Sequence, residues 1–331
     1  MTEFGYALSS EEHGPRELVE SARAAEDAAF EFAMISDHFH PWTDSQGQSP
    51  FVWSVIGGIA QVTERVRLGT GVTCPTIRTH PAIIAHAAAT AAVMTEGRFF
   101  LGVGTGENLN EHVVGEGWPA PDERLAMLEE AIEVMRLLWQ GGEQTRRGRF
   151  YDVEQARLYT LPEEPVQIAV AAAKSNAAEL GGRLGDAFVN TAPDGSVIET
   201  FESAGGHGKP RYGQITCCWA TSEEEGAKTA CEIWPNAVLG GDLGYELPIP
   251  AHFEQATTDV TPDQVAEAIP CGPDPERWLK DIRAYEDAGY THIYFHQIGY
   301  DQEGFFRGET SCSPGCRPAR AGPRVERRPL R

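Results

Sequence analysis

Acids, imidazoles and an indole crowd two short stretches of this 331-residue chain. One reads Ser36-Asp37-His38-Phe39-His40-Pro41-Trp42, the other Gly104-Thr105-Gly106-Glu107-Asn108-Leu109-Asn110. An imidazole titrates near ~6.5 and can take or give a proton close to neutrality. His38 and Glu107 are therefore candidates for proton work, with Trp42 as a wall against water. The Gly102-x-Gly104-x-Gly106 run lacks the spacing of a dinucleotide fingerprint, yet it lets backbone approach a flat or anionic ligand closely. His38-x-His40 also suits a zinc-dependent amidohydrolase. That chemistry needs further histidines, and the later candidate strand ends read AAAKSN and NTAPDG. No metal site is expected. A non-catalytic ligand-binding barrel is a third reading.

These residues can meet only if the fold brings strand ends together. Apolar or β-branched runs predict strands at 4–9, 32–37, 67–73, 98–104, 166–172, 187–191, 214–220 and 291–298. Helical patterns lie between them. Leu125, Leu128, Ile132, Met135 and Trp139 share one face, and Pro15 and Pro81 stand where first helical turns accept proline. Segments 52–63, 175–184, 222–234 and 274–288 are further helix candidates. Alternating strands and helices imply parallel strands with right-handed crossovers, closed most economically as a (β/α)8 TIM barrel. An open doubly wound sheet is the alternative, but no G-x-G-x-x-G turn follows the first strand.

One barrel domain is expected over 1–310, with Gly- and Pro-rich excursions at about 140–165 and 236–273. In such a barrel chemistry sits at the C-terminal strand ends. That places Glu11, Asp37, His38, Trp42, Gly71, Val72, Cys74, Thr105, Gly106, Glu107, Asn110, Ala173, Lys174, Asn176 and Thr191 around one mouth.

Lys+Arg 27 against Asp+Glu 49 gives −22, which argues against a nucleic-acid or anionic-membrane surface. No apolar stretch of about eighteen residues occurs, so no membrane span is expected. Seven scattered cysteines match no zinc or disulfide spacing and suggest reduced thiols. The N-terminal text carries no apolar signal-peptide core. A cytoplasmic protein acting on a small molecule is expected. Residues 311–331 differ in kind: 317–331 hold six Arg and one Glu, and this basic, Pro-rich text is expected to be disordered.

The motifs SDHFHPW (36–42), TCPTIRTHPAIIA (73–85), LGVGTGENLNEHVVG (101–115) and KPRYGQ (209–214) resemble those of the luciferase-like flavin and deazaflavin oxidoreductases, on a branch that uses coenzyme F420 on sugar phosphates. The resemblance runs from about Phe4 to Phe306. It implies a luciferase-like barrel that binds coenzyme F420 (FMN being the alternative, with monooxygenase chemistry) and works as a homodimer. It implies hydride transfer with His38 and Glu107 as catalytic groups and Trp42 in the active site. Asp37, Gly71, Val72, Cys74, Thr105, Gly106, Asn110, Ala173, Lys174 and Asn176 would then line the cofactor. It implies a non-proline cis peptide at Gly71-Val72. Glu11 and Thr191 would face the substrate.

Several positions depart from that branch. Cys74 replaces a Thr, and Ala173-Lys174 a Gly-Gly pair. Asp194 and Glu267 stand where phosphate-gripping lysines are expected, and the family's helix after Phe306 has no evident counterpart. A neutral alcohol or carbonyl substrate is therefore expected rather than a sugar phosphate.

Overall fold

In a computed structural model that describes residues 2–312, ten strands form. They are β1 (Glu3–Leu8), β2 (Phe32–Ile35), β3 (Arg67–Thr70), β4 (Phe99–Val103), β5 (Gln144–Arg146), β6 (Val153–Ala156), β7 (Gln167–Ala171), β8 (Ala187–Asn190), β9 (Arg211–Cys217) and β10 (His292–Gln297). Eight of them close a parallel barrel in the order β1-β10-β9-β8-β7-β4-β3-β2, so the open-sheet alternative falls. All eight expected strands are present. β9 begins three residues earlier than periodicity suggested. Arg211 and Gly213 look unlike strand residues, but they pair with Phe188 and Asn190 of β8. Beyond Cys217 the chain turns away, with the Cys218 amide bonded to the Pro270 carbonyl.

The helices start where local chemistry favours it. Pro15, Pro81, Pro121, Pro250, Pro262 and Pro275 each open one, at a position whose missing N–H costs nothing. The face of Leu125, Leu128, Ile132, Met135 and Trp139 lies along helix Pro121–Trp139 and packs into the main core. The first excursion holds the antiparallel β5–β6 hairpin, and the second holds short helices at Leu243–Glu246, Pro250–Ala256 and Pro262–Ala268. A C-terminal helix does exist, at Gln302–Cys312, correcting the expectation from sequence. Phe305 and Phe306 of this helix pack on Tyr6, covering the outside of β1. Of the expected basic tail, residues 313–331 lie outside the described residues.

Inside the barrel, Phe32, Met34, Phe100, Tyr212 and Tyr294 fill the space with Ala7, Ala169, Ala187 and Val189. Large rings fit because neighbouring strands omit side chains: a Cβ on Gly5 would lie 2.4 Å from the Phe32 ring, and one on Gly69 2.2 Å from Phe100. At Gly102 the obstacle is backbone. An added Cβ would stand 2.0 Å from the Thr70 carbonyl oxygen, where β3 and β4 run together. Gly102→Ala should lower stability by about 1–3 kcal/mol or more through overpacking, read as an earlier midpoint in urea unfolding.

Candidate functional site

At the C-terminal ends of the strands the barrel opens into a cavity of about 1100 Å³. Glu11, Asp37, His38, Trp42, Gly71, Val72, Cys74, Thr105, Gly106, Glu107, Ala173, Lys174, Asn176 and Thr191 all line it. Asn110 does not. It is buried beneath the wall, where its Oδ1 accepts from the backbone amides of Phe39 (2.8 Å) and His40 (3.1 Å), and its Nδ2 donates to Glu107 Oε2 (3.2 Å). Asn110 thus ties the loop after β2 to the loop after β4.

His38 stands between two carboxylates. Its Nδ1 lies 3.1 Å from Glu11 Oε1, at an angle short of hydrogen-bond geometry, and its Nε2 lies 3.9 Å from Glu107 Oε2. Glu11 is buried and accepts hydroxyl protons from Ser36 (2.8 Å) and Ser9 (3.0 Å). Burial alone would raise its pKa, but the His38 imidazole and the Ser36 hydroxyl outweigh burial and hold it below the ordinary value. Trp42 packs edge-on against His38 with ring centroids 5.3 Å apart, and Phe253 backs Trp42 at 5.1 Å. His40, the other member of H-x-H, points its Nδ1 at the Leu109 carbonyl, 2.9 Å away. Among the described residues no group of three His, Cys, Asp or Glu is placed to hold a metal.

Asp37 faces a different partner. Its Oδ1 accepts from Arg78 Nη2 and its Oδ2 from Thr73 Oγ1, both at 2.8 Å. Glu111 completes this cluster: its Oε2 accepts from the Arg78 backbone amide at 2.8 Å, and Oε1 lies 3.7 Å from Arg78 Nε. Sequence reasoning missed Glu111 as a site residue. Its place four residues after Glu107, one helical turn on, was the available signal. Burial pushes the Glu111 pKa up to about 7, even against the pull of Arg78.

The Gly71-Val72 peptide is cis, as the resemblance implied. Opposite it the glycines leave a cradle. A Cβ on Gly104 would lie 2.9 Å from Val72 Cγ2, and one on Gly106 would meet Cys74 Sγ at 2.6 Å. Gly106 also has φ +79°, a conformation that side chains resist. Burial raises the Cys74 thiol well above its usual pKa, so it serves as packing beside Thr76.

At the rim, Ala173, Lys174 and Asn176 surround the first turn of helix Ser175–Leu184. Lys174 Nζ pairs with Asp242 at 2.5 Å, and Arg124 pairs with Glu246 at 3.3 Å. Both carboxylates belong to the second excursion, which is thereby strapped across the mouth. Asp194 and Glu267 do not face the cavity. Asp194 caps helix Gly195–Phe201, its Oδ1 accepting from the Ser196 amide (2.9 Å) and hydroxyl (2.6 Å). Glu267 is exposed on helix Pro262–Ala268. Lys209 donates to the carbonyls of Gly182 (2.9 Å) and Gly185 (2.8 Å), closing the C-terminal end of helix Ser175–Leu184 rather than serving a ligand. Asp194 therefore puts no charge into the cavity, contrary to the expectation from sequence.

Comparison with known proteins agrees with the barrel fold. The family model for luciferase-like monooxygenases matches residues 1–292. This chain belongs to the luciferase-like family. Among luciferase-like relatives, the F420-dependent glucose-6-phosphate dehydrogenase of Segniliparus rotundus is 36% identical over 311 residues, covering 90% of this chain and 93% of the relative. That of Nocardia farcinica is 36% identical over 317 residues, covering 92% and 94%. A solved F420-dependent secondary alcohol dehydrogenase, in complex with an F420-acetone adduct, superposes with TM-score 0.85 at 28% identity, covering 93% of this chain and 97% of that one.

Glu111 gives a pH test. Its pKa of about 7 lies above the ordinary 4.5, so between those values the folded state holds a proton that the unfolded chain releases. Stability from this group falls as pH rises through that window. Glu111→Gln should remove the loss, so its melting temperature relative to wild type should climb between pH 5 and pH 8.

Proposed function

We propose that this chain is an oxidoreductase that uses the deazaflavin coenzyme F420 and exchanges a hydride with a small, uncharged alcohol or carbonyl compound. His38, set between Glu11 and Glu107 beside a glycine-walled cradle, is the observation that carries the reading. The residues present suit a flat ring system. Asp37, Gly71, Val72, Cys74, Thr105 and Gly106 would hold it. Ala173, Lys174 and Asn176, at a helix N-terminus, suit an anionic tail. A bound deazaflavin supplies a two-electron acceptor, so an alcohol that loses a hydride must also lose its hydroxyl proton.

His38 would hold that proton at Nε2. Glu11 stands 3.1 Å from Nδ1 and Glu107 3.9 Å from Nε2, so both ring nitrogens face a carboxylate. Asn110 keeps Glu107 in place, and Trp42 with Phe253 excludes water from one side. In the reverse direction the same imidazole would return the proton to a carbonyl oxygen.

Charge supports an uncharged substrate. Eight carboxylate side chains line the cavity against two Lys or Arg, Lys174 and Arg124, each already paired with an acid. A sugar phosphate would bring about two negative charges into these surroundings. At an effective dielectric near ~20, each like-charge contact at ~4 Å costs about 4 kcal/mol before screening.

Fluorescence titration should show tighter binding of coenzyme F420 than of FMN; the opposite order would favour a monooxygenase. In steady-state assays neutral secondary alcohols should outperform glucose 6-phosphate, and micromolar KM for the phosphate would overturn the substrate assignment. His38→Ala and Glu107→Gln should each cut turnover roughly 10²–10⁴-fold while coenzyme affinity stays within a few-fold.

A further inference from the structure

The residues just after β1 build more than the clamp on His38. Ser9, Glu11 and Glu12 are all buried. Ser9 Oγ lies 3.0 Å from Glu11 Oε2 and 3.2 Å from Glu12 Oε1. Glu12 Oε1 in turn lies 3.0 Å from Nε2 of His296, and its Oε2 accepts from the Gly299 amide at 2.8 Å. His296 is on β10, two residues after Tyr294, so strand alternation turns its ring into the barrel, and it lines the same cavity. Trp234 packs edge-on against it, with ring centroids 4.4 Å apart.

The arrangement repeats the one at His38: a buried glutamate, an imidazole facing the cavity, and a tryptophan against the ring. One serine hydroxyl lies between the two glutamates. Glu12 is occupied with fixing Nε2, which leaves Nδ1 as the nitrogen of His296 available to a ligand. A buried imidazole oriented this firmly is suited to hydrogen-bond a polar group of the substrate, and desolvating it without such a partner would be unfavourable.

We propose that His296, positioned by Glu12, binds a second oxygen of the substrate while His38 serves the reacting one. The substrate class is then an uncharged diol or polyol, or the matching hydroxy-carbonyl compound, rather than a monofunctional alcohol. This rests on the oxidoreductase reading for the reacting oxygen, but the contact itself is a binding interaction.

Cyclohexanol and the 1,2- and 1,3-cyclohexanediols share one ring and differ by a hydroxyl. Their affinities for the protein, alone and saturated with coenzyme F420, can be measured by calorimetry, alongside turnover. Wild type should favour a diol, because a site built to bond a hydroxyl discriminates against the analogue lacking it, by about tenfold or more. His296→Ala should abolish that preference while cyclohexanol binding changes less than about threefold and coenzyme affinity is unchanged. His296→Gln, which keeps a polar group, should restore part of it. Glu12→Gln, which frees the ring, should act in the same direction as His296→Ala. Equal losses for cyclohexanol and the diols, or no diol preference in wild type, would overturn the assignment. Diol preference lost in the variant supports it even if no alcohol reduces the coenzyme, a result that would count against the oxidoreductase reading alone.

Discussion

Carboxylates buried at the mouth of a closed barrel are the constraint around which this site is organised. Glu11, Glu12, Asp37 and Glu111 are each nearly inaccessible to water. An ionised carboxylate removed from water needs hydrogen bonds or an opposite charge, or it takes up a proton. The four meet this demand in different ways. Glu11 uses hydroxyls and His38, whereas Glu12 uses a backbone amide and His296. Asp37 and Glu111 share Arg78, and burial still raises the Glu111 pKa against the pull of that guanidinium.

Rigidity follows from these pairings. Glu11, His38, Asp37 and Glu111 each meet a partner from another strand end, so closing the barrel brings these side chains together. Asn110 bonds the β2 loop to Glu107, and Arg78 bonds the β3 loop to Asp37 and Glu111. The second excursion adds the outer wall through Asp242 and Glu246. It also spends both basic residues of the cavity on those acids. The result is a pocket rich in carboxylates whose Lys174 and Arg124 are both paired with acids.

Much of this could be read from residue order. Strand and helix periods identified the eight barrel strands, because alternation and 3.6-residue spacing are local properties. SDHFHPW and GTGENLN could be read as site segments because polar residues at strand ends stand out against apolar runs. The cis Gly71-Val72 bond came from resemblance, since nothing in two residue names reports a peptide's isomer. Even β9 was misplaced by three residues, its polar start masking partners that lie on β8.

Direction and partnership belonged to the tertiary structure. Asn110 and Asp194 look like ligand-facing residues in the sequence, yet one braces two loops from below and the other caps a helix. His296 is 284 residues from Glu12 and gave no local signal, but β10 closes the barrel against β1 and brings the two to 3.0 Å. The sequence by itself determined which residues could carry charge and which stretches would be strands. Only the closed barrel decided which charges meet, because burial and pairing depend on residues far apart in the chain.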